Sequence, residues 1–133
     1  MQPTVSCEPP VVDSLAVCLD EAVPVISTFW GDPEPVSHRI RDDGALRMHT
    51  VGSVKEAVHA AGCGVDVIVA QGWEAGGHVR GTTATIVLVP AVVDAVGPIP
   101  VTAGGISDGR GLAAVLALSA QGAWLGTGFP GEH

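Results

Sequence analysis

A parallel α/β fold with β and α segments in strict alternation is what this sequence predicts, and three observations carry that expectation. Apolar residues make up 47% of the 133-residue chain and charged residues only 15%, the balance expected of strands covered on both faces. Short β-branched runs recur at the spacing of right-handed β-α-β crossovers. Three of the runs end in glycine-rich turns, at residues 70–78, 103–111 and 122–127. Because each glycine turn follows a strand C-terminus, the pattern favours a piece of a (β/α)₈ barrel over an open doubly wound sheet. The length suits one domain, 1–133, with 1–10 as an irregular leader and 11–129 as β/α repeats.

The elements follow in order. Val11 to Ala22 reads as a helix and Pro24 to Phe29 as a strand. Asp32 can be N-cap of a second helix with Pro33 at its first position, running to about Asp43 and stopped by Gly44. Ala45 to Val51 is the second strand. Ser53 and Glu56 have capping-box spacing, and the helix they open ends near Gly62 or Gly64. Val65 to Ala70 is the third strand, followed after the glycine turn by a helix from about Leu88 to Val96 with Pro90 in its first turn. Ile99 to Ala103 is the fourth strand. Asp108 can cap a helix through Leu118 that stops at Gly122, and Ala123 to Leu125 is the fifth strand.

Six basic against fourteen acidic residues give a net charge of −8. Nucleic-acid binding, which needs clustered Lys and Arg, is therefore not expected. Cys7, Cys18 and Cys63 lack CxxC spacing, so neither a disulfide framework nor a zinc site is expected. A cytoplasmic location is expected, since no signal peptide is visible and the most apolar stretch, residues 86–96, is far short of a membrane span.

The stretch from Val69 to Gly81 concentrates the chemistry. Glycines 72, 76 and 77 offer positive φ and close approach to a ligand, and His78 is a side chain suited to proton transfer near neutral pH. Gly104 and Gly105 open a second turn and Gly126 a third, a pattern that suggests a phosphate-bearing cofactor. A phosphate needs convergent backbone amides and a helix N-terminus, which the helix starting near Asp108 is expected to supply. Glu74 is read as a turn hydrogen-bonding residue and Arg110 as a solvated one. His38, His49 and His59 share no ligand spacing and are read as structural or surface residues.

Three strings in order, Ala70-Gln-Gly-Trp-Glu-Ala-Gly-Gly-His78, Ala103-Gly-Gly-Ile-Ser-Asp-Gly-Arg-Gly111 and Trp124-Leu-Gly-Thr127, resemble those of the nitronate monooxygenases. The resemblance runs from about Pro24 to Phe129. It implies a (β/α)₈ barrel that binds FMN and oxidises alkyl nitronates, and possible nitroalkanes, with O₂ to carbonyl compounds and nitrite. It implies that His78 is the base or substrate-orienting residue and that Gln71 and Gly76 contact the flavin. Gly104, Gly105, Gly126 and Thr127 would hold the phosphate, with backbone of Trp124 and Leu125 lining the same end.

The chain departs from that family in length, since a barrel takes about 250 residues. The five strands look like strands four to eight, and Gly128 stands where the family commonly has arginine. A truncated chain is the expectation, with open sheet edges through which it could self-associate. Two alternatives remain open: a flavin-dependent enoyl-thioester reductase, whose glycine turns look similar, and an inactive remnant lacking the first three strands.

Overall fold

The computed structural model describes residues 9–97 and 101–126. Five helices and five strands alternate: α1 (Pro9–Asp20), β1 (Val25–Phe29), α2 (Glu34–Asp42), β2 (Leu46–Val51), α3 (Val54–Gly62), β3 (Val67–Gln71), α4 (Thr85–Val96), β4 (Val101–Gly104), α5 (Gly109–Ala117) and β5 (Gly122–Trp124). The strands pair in parallel and in chain order, β1-β2-β3-β4-β5. Residues 1–8 of the expected leader, Ile99 of the expected fourth strand and the stretch from Thr127 onward lie outside the described residues.

Register explains which face does what. Thr28 pairs with His49, His49 with Ile68 and Ile68 with Val101; on the same face, Val51 pairs with Ala70 and Ala70 with Ala103. Val51, Ile68, Ala70, Val101 and Ala103 form one core with Ala57 and Ala60 of α3, Leu88, Val89 and Val92 of α4 and Val115 of α5. Ile26 of β1 lies on that face too, packed with Leu15 of α1 and with Val36 and Ile40 of α2. The described helices that contribute to these cores thus cover one face of the sheet. That is the winding of a barrel segment, whereas a doubly wound sheet carries helices on both faces. The expectation of strands covered on both faces holds at β3, where Val69 and Gln71 on the far face are also buried, and fails at β1. On the other face Val25 and Leu46, paired with each other, and Phe29 and Trp124 remain exposed.

Several element ends differ from expectation for physical reasons. Helix α4 starts at Thr85, not Leu88, so Pro90 sits inside it rather than in its first turn. Its N-cap, Ala84, has no capping side chain; instead the Thr85 amide donates to Glu74 Oε1 at 2.9 Å. A cap supplied from eleven residues upstream leaves no local signal. Helix α2 starts at Glu34 with Pro33 as N-cap, and Asp32 caps from one residue outside, its Oδ1 accepting from the Glu34 amide at 3.0 Å. Half of the expected capping box forms: Ser53 Oγ accepts from the Glu56 amide at 3.3 Å, but the Glu56 carboxylate accepts from Gly52, not Ser53. Helix α5 does not run to Gly122. It ends at Ala117 and turns at Ser119, whose φ is +70°, leaving Gly122 to open β5.

Candidate functional site

The C-terminal ends of the strands converge on one cavity of about 430 Å³, lined by Ser27 and Phe29 of β1, Thr50 of β2, Val69 and Gln71 of β3, Gly104 of β4 and Trp124 of β5. Loop residues 74–76, 105–107 and 126 complete the wall. These strand residues belong to the face opposite the helices, where the two-residue period of a strand sends every second side chain. The size is within the range of small-molecule and cofactor sites.

The β3–α4 loop, residues 72–84, forms much of the rim, and two close approaches hold it. A Cβ on Gly72 would collide with Thr85 Oγ1 and fall 2.5 Å from Glu74 Oε2, so no larger residue fits. The loop then returns to the β2–α3 turn, where Gly81 and Gly52 pack backbone to backbone. A Cβ on either would lie under 3.0 Å from main-chain atoms of the other. Glu56 secures this contact: its Oε2 accepts from the Gly52 amide at 2.8 Å and its Oε1 pairs with Arg80 at 3.3 Å. Of the three glycines expected to use positive φ here, Gly77 does (+78°), while Gly72 is required for space.

Gln71, Gly76, Gly104, Gly105, Trp124 and Gly126 all line the cavity. Leu125 and His78 do not line it, and Thr127 lies outside the described residues. His78 sits on the exposed part of the loop, tethered through its carbonyl, which accepts from Gln71 Nε2 at 3.1 Å. Its imidazole meets the Trp30 indole edge-on, ring centres 5.8 Å apart at 83°. Trp73, on the same loop, is 60% exposed and is absent from the wall.

Sequence reasoning missed Trp30. It stacks on Phe29 at 4.5 Å, takes a φ of +60° and buries an indole N–H that finds no hydrogen-bond partner among the described residues. Positive φ is an outlier for so bulky a residue, and such strain concentrates at functional sites. Ser27 and Thr50 were missed as well. Only their inward register reveals them, since a lone hydroxyl on a strand has no motif around it.

The electrostatics of the wall are sparse. Glu74 is the ionisable side chain among the described lining residues. Burial works against its charge, yet hydrogen bonds from its own amide and from Thr85 outweigh that cost and bring its pKa below the usual value. Thr85 Oγ1 in turn donates to the Gly104 carbonyl at 3.2 Å, so Glu74, Thr85 and β4 form one continuous support for the glycine wall. Gly105 has φ +84°, and a Cβ there would sit 3.3 Å from Ala75 Cα.

The helix N-terminus expected to hold a phosphate is already taken. Asp108 Oδ1 accepts from the amides of Arg110 and Gly111 at 2.9 and 3.0 Å, and Arg110 pairs with the same carboxylate while staying exposed. Those amides are therefore satisfied within the chain. An anion at this end would rely on the turn before α5, where Gly105, Ile106 and Ser107 face the cavity, and on Gly126.

Comparisons with known proteins agree with this geometry. The family model described as nitronate monooxygenase matches residues 4–131. A monooxygenase-like protein of Mycobacterium tuberculosis is 47% identical over 115 residues, which span 85% of this chain and 30% of that protein. The structure of FabK from Thermotoga maritima superposes with a TM-score of 0.86 at 39% identity, over 93% of this chain and 39% of that one. A nitroalkane oxidase from Streptomyces ansochromogenes gives a TM-score of 0.76 at 39% identity, over 88% of this chain and 37% of that one. The chain thus spans 30–39% of the length of these three proteins.

Proposed function

The chain belongs to the nitronate monooxygenase family, and from that premise we propose that its cavity is the FMN end of a barrel that oxidises alkyl nitronates with O₂ to carbonyl compounds and nitrite. The observation that carries this reading is convergence. Residues from three separate glycine strings, Gln71 and Gly76, Gly104 and Gly105, and Trp124 and Gly126, wall a single cavity at the C-terminal ends of the strands.

The residues present fit FMN. The Gly104–Gly105 wall presents backbone without side chains, and at Gly105 the φ of +84° and a Cβ position 3.3 Å from Ala75 Cα disfavour any larger residue. Gly105, Ile106, Ser107 and Gly126 would hold the phosphate, with Thr127 completing that end by resemblance. Phe29 and Trp124 would offer apolar surface, and the Gln71 amide a polar contact. FMN would carry the electrons between nitronate and O₂. His78 would take the α-proton of a neutral nitroalkane or, with a nitronate that is already deprotonated, orient the anion. Its exposed place on the rim keeps it accessible to an incoming molecule, and Trp30 and the Gln71 amide limit its movement. Glu74 is engaged with Thr85 and serves the loop, not proton transfer.

A second reading is favoured by the likeness to FabK, namely a flavin-dependent enoyl-thioester reductase. Two assays separate them. Oxygen uptake with propionate 3-nitronate and added FMN supports the monooxygenase. NAD(P)H oxidation dependent on an enoyl thioester, without oxygen uptake, supports the reductase. Absence of FMN fluorescence quenching, together with a non-cooperative urea transition, would instead mark a chain that does not carry the site alone.

A further inference from the structure

Outside the cavity, three potential metal ligands from two separate parts of the chain come together. The ligand atoms of Asp32, His59 and Cys63 all lie within 4.8 Å of one another. His59 of α3 and Cys63, the C-cap of that helix, are four residues apart, with Sγ 3.7 Å from Nε2. Asp32, from the β1–α2 turn, places Oδ1 2.8 Å from the same Nε2. None of the three lines the cavity.

We propose that Asp32, His59 and Cys63 form a binding site for a divalent transition metal of the zinc class, with a fourth coordination position open. Donor chemistry selects the ion. Calcium and magnesium take oxygen ligands, whereas a thiolate and an imidazole beside one carboxylate suit zinc and its neighbours in the first transition row. Two of the three ligand pairs lie near the separations tetrahedral zinc needs, and the third is within 4.8 Å. Bond lengths of about 2.3 Å to sulfur and 2.0–2.1 Å to nitrogen put those atoms about 3.6 Å apart, against 3.7 Å here. The nitrogen–oxygen pair needs about 3.4 Å, so the present hydrogen bond of 2.8 Å must open by roughly half an ångström.

Two of the three ligand residues are also held by a second contact. Asp32 Oδ1 accepts from the Glu34 amide at 3.0 Å, and the Cys63 carbonyl accepts from the buried Ser37 Oγ at 2.9 Å. The carboxylates of Asp32 and Glu34 act on Cys63, local charge that favours a cation, and a bound dication would take the place of the thiol proton. The arrangement is invisible to sequence spacing because Asp32 lies 27 residues from His59.

The site is tested with Co²⁺ as a spectroscopic stand-in for Zn²⁺, titrated into the reduced, chelator-treated 133-residue chain. The expected result is a thiolate-to-cobalt charge-transfer band that saturates at a single equivalent and is displaced by Zn²⁺. Cys63→Ser should abolish the band, while Cys18→Ser and Cys7→Ser should retain it. His59→Ala and Asp32→Asn should weaken Co²⁺ binding by about tenfold or more. No band in the parent chain, or a band that survives Cys63→Ser or is indifferent to His59→Ala, would overturn the proposal. The readout requires neither FMN nor turnover, so it stands or falls apart from the oxidase reading.

Discussion

At the scale of single residues, the motif histidine and the spatial neighbours that orient it come from different kinds of information. His78 was legible because it sits in a string of glycines; Trp30, which meets its ring, was not, because 48 residues of unrelated sequence separate them. If His78 acts as a general base on a neutral nitroalkane, His78→Ala should lower nitroalkane-dependent oxygen uptake by roughly 10²- to 10⁴-fold, with FMN quenching unchanged; if it orients the nitronate, uptake with preformed nitronate should fall as well. Unaltered turnover would remove it from the reaction. Gly72 provides a prediction on stability. A methyl group there meets Thr85 and Glu74 with no space to move into, so Gly72→Ala should cost roughly 1–3 kcal/mol in urea unfolding. Gly76→Ala, where a Cβ would meet nothing within 4 Å, is the matched control and should be nearly neutral.

At the scale of elements, the β3–α4 loop is the piece that joins the site together. It caps α4 through Glu74, meets the β2–α3 turn through Gly81 and closes on Gln71 through the His78 carbonyl. Glu56, which sequence spacing marked only as half of a capping box, ties two loops at once. Its two roles can be separated. Glu56→Gln keeps an acceptor for the Gly52 amide and loses a partly exposed ion pair, a cost of a few tenths of a kcal/mol up to about 1. Glu56→Ala also strands the Gly52 amide and should cost about 1 kcal/mol more. Equal urea midpoints for the two variants would show that the amide contact contributes nothing.

At the scale of the whole molecule, five parallel strands with the packed helices on one face leave β1 and β5 as edges and the inner face partly exposed. No helix among the described residues is long and apolar enough to cross a membrane. Global stability should depend on pH through His49, buried on β2 with Nδ1 2.7 Å from Thr28 Oγ1. Burial lowers its pKa; nearby Glu56 opposes this, while His59 adds to it. The unfolded chain therefore takes up a proton that the folded chain refuses, so stability is full above about pH 6.5 and falls as pH drops below it. The urea midpoint should decline through that window, and His49→Gln should flatten the decline. Asp66 acts lower on the scale. Hydrogen bonds from Arg47 bring its pKa down, so its contribution persists until pH falls below the ordinary carboxylate range. A flat pH profile in the parent chain would contradict the role given to His49.

Alternation of strands and helices, the barrel-type winding and the glycine walls were legible from sequence alone. Two-residue and 3.6-residue periodicities, glycine turns and the Asp108 cap are local properties, set by steric and hydrogen-bonding rules within a few residues. Tertiary structure decided the rest. It assigned one strand face to the helices and the other to the cavity, started α4 three residues early on a carboxylate from an earlier loop, and filled the α5 amides with their own cap. It also brought Trp30 to His78 and Asp32 to His59 and Cys63. Contacts of that kind depend on how parallel strands bring distant loops side by side, a spatial relation that no short window of sequence contains.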